Sequence, residues 1–121
     1  MENWTSSKCP QFLVLFIHKP KLMLAECMAF EVGIMVSNWD KSHRLDGQYG
    51  GSSTNFITAP NTVRKPDFWW MDPIRRNTLD PQHNNQLLGV PNFVVEVVSP
   101  NDSLIDQRNK LAFWINAGVE V

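Results

Sequence analysis

The run Asn92 to Val98, NFVVEVV, constrains this chain more than any other stretch. It is built of β-branched and aromatic residues, bounded by Pro91 on one side and Ser99-Pro100 on the other, and it carries a single carboxylate, Glu96. An apolar run of this length between turn residues reads as a buried strand. An unpaired carboxylate there is costly, because it gives up its hydration for nothing in return. Glu96 therefore belongs at a strand end facing a cleft, beside a cation, or on a metal ion, and the residues alone leave these three open.

A chain of 121 residues is read as one domain, spanning 1–121, and is long enough to bury a proper core without staples. Lys and Arg number 11 against 12 Asp and Glu, a net charge of -1. No global positive field advertises a nucleic-acid or anionic-membrane partner, so any such partner must be met by a local patch. Cys9 and Cys27, with His18 between them, lack the close paired spacing of a zinc site and read as buried or free thiols. The apolar run Phe12 to Ile17 is too short for an export signal, and Leu22 to Val36 carries Glu26 and Glu31 and is too short to span a bilayer. The expectation is an intracellular, soluble protein with no membrane partner.

Taken in order, residues 12–17 suggest a short strand or an irregular arm. After Pro20, the spacing of Leu22, Ala25, Ala29, Val32 and Val36 predicts a helix over 21–37. Asp40 to Ser53 is polar and glycine-rich, which predicts a connecting loop. Its Gly50-Gly51-Ser52-Ser53 lacks the Lys-Ser/Thr ending and following helix of a phosphate loop. A strand over 53–58, a turn over 59–62 and a second strand over 63–71 make an antiparallel hairpin, with Asp67 inside the second strand between Pro66 and Phe68-Trp69-Trp70. Residues 72–90 read as a loop with one short helical turn. Asn101, Asp102 and Ser103 offer cap oxygens for a helix running to about Ala117 with Leu104, Leu111, Trp114 and Ile115 on its apolar face. Gly118 then stops the helix and Val119 to Val121 begin a strand.

Asp67 and Glu96 come from separate strands. If those strands are neighbours, both side chains can converge on one hard cation, for which oxygen ligands are the expected chemistry. Lys110 lies in the following helix. Asp106, one turn before it, gives the bland alternative of a weak surface ion pair.

The series Arg64-Lys65-Pro66-Asp67-Phe68-Trp69-Trp70, then Pro91 to Pro100, then Asp106 and Lys110, then Ala117-Gly118-Val119-Glu120 resembles the Uma-type restriction endonucleases of the PD-(D/E)XK nuclease superfamily. Ser52 to Phe56 with Pro60-Asn61 is similar to that family's hairpin, so the likeness covers about 47–121 and leaves 1–36 unmatched. The resemblance implies an α/β, restriction-endonuclease-like mixed sheet with a central hairpin flanked by helices. It implies that Asp67 is the Pro-Asp aspartate and Glu96 the glutamate of the Glu-X-Lys element. Both would hold Mg2+ or another divalent cation, with the Val97 carbonyl as a further ligand. Val98 stands at the usual lysine position, and Lys110 from the following helix is the matching lysine. Gln107 would assist, and Arg64, Lys65, Arg75 and Arg76 would meet the DNA backbone. Two departures stand out. Asn92 follows Pro91 where the family has Asp, a change outside the expected metal site, and the chain stops at Val121, so that the closing strands are missing. An open sheet edge could then support a homo-oligomer. Two functions follow, a metal-dependent endonuclease hydrolysing phosphodiester bonds in DNA, or an inactive, truncated nuclease-fold remnant acting as a binding or interaction module.

Overall fold

The structure, a computed structural model, describes residues 14–18, 22–58, 62–98 and 102–117. Among them are three helices and two four-stranded sheets, a mixed α/β architecture consistent with the restriction-endonuclease-like fold expected from the resemblance. In the first sheet, β8 (Phe93–Val98) lies between β1 (Val14–His18), which it meets in parallel, and β5 (Phe68–Met71), which it meets antiparallel. At the far edge β2 (Gln48–Gly51) pairs antiparallel with β5. The second sheet runs β4 (Thr62–Arg64), β3 (Asn55–Thr58), β7 (Gln86–Leu88) and β6 (Asp80–Pro81).

The near-continuous apolar sequence of β8 follows from its place. A strand with neighbours on both edges and cover on both faces needs buried side chains on each side, and Val94 to Val98 are all buried. Because side chains alternate across a strand, Phe68, Trp70 and Val95 face one way, toward Val32, Val36 and Trp39 of α1 (Leu22–His43). Trp69, Met71 and Val94 face the other way, packing with Phe56 of the second sheet and Trp114 of α3 (Leu104–Asn116).

Three expectations need correction. Helix α1 runs six residues past 37, to His43, although Ser37 to His43 is largely polar. Its last turns are held by tertiary contacts: the Trp39 ring packs edge-on against Trp70 with centroids 5.1 Å apart, and the buried Asp40 accepts hydrogen bonds from the Trp70 indole and the Gly47 main chain. Part of the expected loop over 40–53 is the edge strand β2. Gly50 is required there by packing, since a Cβ would come within 2.7 Å of the Trp69 ring. Finally, the expected strand over 63–71 is two strands. The hairpin of β3 and β4 forms, with Phe56 opposite Arg64, but Pro66, which has no N–H for a ladder, separates β4 in the second sheet from β5 in the first. The hairpin is therefore peripheral. The central antiparallel pair, β5 and β8, is joined by the long segment between them, which holds α2 (Pro73–Arg76), β6 and β7.

Ser103 caps α3 in a reciprocal box with Asp106: the Asp106 N–H donates to Ser103 Oγ at 3.1 Å and the Ser103 N–H donates to the Asp106 carboxylate. Asp106 is thus spent on the helix N-terminus. Asn92 is buried; its Oδ1 accepts from the Asp72 N–H at 2.8 Å and its Nδ2 donates to the Asp72 carboxylate at 3.4 Å. An aspartate there would face Asp72 with no proton to offer, so the amide suits this site. Cys27 is exposed. Cys9, most of the 59–62 turn, Gly118 and the strand start at 119–121 lie outside the described residues. No helix among those described is long and apolar enough to cross a membrane.

Candidate active site

Asp67 sits at the bend immediately before β5. Its N–H donates to the Val95 carbonyl at 3.0 Å, and Phe68 pairs with Val95. Continuing that register by one residue sets Asp67 beside Glu96. Its side chain closes the same gap, with Oδ2 accepting the Val97 N–H at 2.6 Å. One oxygen of Asp67 is thus held by the strand that carries Glu96.

Glu96 shares a face with Val94, under α3. It is only 8% exposed, and its Oε2 accepts the Trp114 indole N–H at 3.4 Å. Lys110 and Trp114 are four apart on α3, so they share a helix face. Burial, and after it the negative charge of Asp67, raise the Glu96 pKa above its ordinary value; the Trp114 hydrogen bond and the Lys110 charge oppose the rise without cancelling it. Glu96 is thus a buried carboxyl beside a second acidic side chain.

A cleft of about 450 Å³ opens over this pair. Asp67, Glu96, Val97 and Lys110 line it, as do Arg64 and Lys65, so six of the sequence-predicted site residues come together. The guanidinium of Arg64 lies over the Phe113 ring, 4.6 Å from its centroid, a cation–π contact that anchors it at the cleft wall. Gln107 is not among the lining residues; its N–H is taken by the Ser103 carbonyl within α3. Arg75 and Arg76 are in α2, beyond the opposite end of β5 from Asp67, and Arg75 donates to the Val90 carbonyl at 3.4 Å. Neither lines the cleft.

Sequence reasoning missed Asn55, Val63, Asp102, Phe113 and Trp114 as cleft residues. Of these, Trp114 left a signal: a buried indole generally finds an acceptor, and the acceptor-bearing side chain of the neighbouring strand was Glu96.

The donor set suits a hard divalent cation. Asp67 and Glu96 each have one oxygen held by an N–H and a second oxygen outside those bonds, and burial beside Asp67 raises the Glu96 pKa, a penalty on its charged form that a cation would relieve. No cluster of three or more His, Cys, Asp or Glu side chains suited to a metal occurs among the described residues. Further ligands would have to be main-chain carbonyls, water or substrate oxygens, which hard ions accept readily.

A mixed sheet whose central antiparallel pair brings an aspartate and a glutamate together defines a protein of restriction-endonuclease-like fold. The chain belongs to the family described as "Uma2: Putative restriction endonuclease", whose model matches residues 15–121, and membership is consistent with the PD-(D/E)XK superfamily. The match begins well upstream of residue 47, taking in α1 and nearly all of β1. No curated protein matches the chain.

Proposed function

We propose that this chain is a metal-dependent endonuclease that hydrolyses phosphodiester bonds in DNA. The observation that carries the reading is the adjacency of Asp67, at the bend before β5, and Glu96 on β8, each carboxylate half-tethered, with Lys110 on the wall of the same cleft. A divalent cation, Mg2+ foremost, supplies neutralisation of phosphate charge and a lowered water pKa when bound.

Asp67 and Glu96 would hold that cation, with the Val97 carbonyl as a further ligand. Lys110 presents an ammonium to the charge that grows on phosphate and orients the attacking water. Arg64 and Lys65 grip the flanking backbone, the charge-driven part of DNA binding. Arg75, Arg76 and Gln107 have no part at this cleft; the two arginines could meet only a more distant stretch of duplex.

The test is Mg2+-dependent cleavage of plasmid DNA, with an RNA of matched length alongside, by the parent chain and by Glu96→Ala and Lys110→Ala. Cutting of DNA by the parent and its loss in both variants is the expected result. A parent that binds Mg2+ and DNA without cutting either nucleic acid points instead to a nuclease fold used as a binding module.

A further inference from the structure

We infer that Trp114 is a positioning residue for Glu96: its indole N–H holds one carboxylate oxygen and so aims the other into the cleft. This rests on the nuclease reading above. The terminal torsion of a glutamate is broad, with no steep staggered wells, so β8 can fix where the side chain starts without fixing how its carboxylate is turned. Trp114 supplies the missing constraint. It is 1% exposed and locked among Phe56, Trp69, Met71 and Val94, which leaves its N–H at one place, 3.4 Å from Glu96 Oε2. The bond is long for an N–H to oxygen contact.

The same core contains a comparison. Trp69 is also buried, but no protein acceptor lies within hydrogen-bond reach of its Nε1. Of these two packed indoles it is Trp114 that meets a carboxylate. Trp114 also stands one helical turn from Lys110 on the same face of α3, so one rigid helix orients the carboxylate and delivers the ammonium.

The experiment compares Trp114→Phe with Trp69→Phe, each removing one indole N–H from one core. Mg2+ or Mn2+ binding is measured calorimetrically on the whole chain, and indole resonances are followed in 1H–15N spectra. Removing a group that orients a metal ligand typically weakens ion affinity by about 10- to 100-fold. W114F is expected to lose at least the lower figure and W69F to keep parental affinity. The Trp114 indole resonance of the parent should move on adding Mg2+, and it should move again in Glu96→Gln, while that of Trp69 stays. Should W114F not fold, the resonances decide. Parental affinity in W114F, an equal loss in W69F, or a Trp114 resonance indifferent to both changes overturns the inference and leaves the nuclease reading standing. A parent that binds no divalent ion overturns both.

Discussion

Asp40 and Trp70, thirty residues apart in the chain, are joined by a buried hydrogen bond of 2.7 Å from the indole N–H to a carboxylate oxygen, and the same oxygen takes the Gly47 N–H at 2.9 Å. One acceptor therefore ties the end of α1, the turn into β2 and the centre of the first sheet. Asp40→Ala would strand two donors, one of them buried, at a cost of about 3 kcal/mol. Asp40→Asn keeps an acceptor oxygen and should cost less. Urea unfolding of both variants checks this ordering, and equal losses would show that the carboxylate acts by its charge alone.

Gly50 faces the Trp69 ring so closely that a Cβ would lie 2.7 Å from Cζ2. The ring is held in the core and cannot swing aside as a flexible side-chain end would. Gly50→Ala is expected to destabilise by about 1–3 kcal/mol, the usual range for overpacking, and to shift tryptophan fluorescence. A neutral substitution would mean that β2 can lift from the sheet at little cost.

The raised pKa of Glu96 makes the stability of the ion-free chain depend on pH. Below its ordinary value of 4.5, the glutamate is protonated folded and unfolded alike. Above 4.5 and up to the raised value, the folded chain keeps a proton that the unfolded chain has released, so stability falls as pH rises through that window. Glu96→Gln cannot ionise and should remove this part of the decline, leaving the variant more stable than the parent at neutral pH, with the difference shrinking toward pH 4.5. Thermal unfolding across this range without added metal is the measurement. A variant with the parent's pH slope contradicts the expectation.

Ser103 supplies the cap oxygen of α3, the helix that carries Lys110 and Trp114. Ser103→Ala should cost about 1 kcal/mol in chemical unfolding. If the cap also fixes the helix start over the cleft, ion affinity should fall in the same variant while Gln107→Ala, outside the cleft, leaves it alone.

The part of the fold that was legible in the sequence is the part written in local pattern. The strand around Glu96 and the start and end of α3 follow from β-branched runs, cap residues and helical spacing. What escaped was decided by contacts distant in sequence. The last turns of α1 are polar and read as loop until Trp70 supplies a partner for Trp39 and Asp40. The Gly50-Gly51 pair of β2 looks like a turn until the Trp69 ring explains Gly50. Pro66 falls inside what reads as a single strand over 63–71, and nothing local says that the stretches on either side of it enter different sheets. At the site, the meeting of Asp67, Glu96 and Lys110 follows from a family likeness and one register. The absence of Arg75, Arg76 and Gln107 from the cleft depends on the direction of β5 and the face of α3, which spacing alone does not give.

The parallel pairing of β1 with β8 joins segments about eighty residues apart, and β8 also separates β1 from β5. During synthesis, β1 and β5 leave the ribosome with open edges that only a much later segment can fill. The glutamate strand is thus the keystone, set last among the strands of its sheet. Assembly by distant contacts is slow, and the nascent chain must be kept from pairing those waiting edges with a neighbour's until β8 arrives.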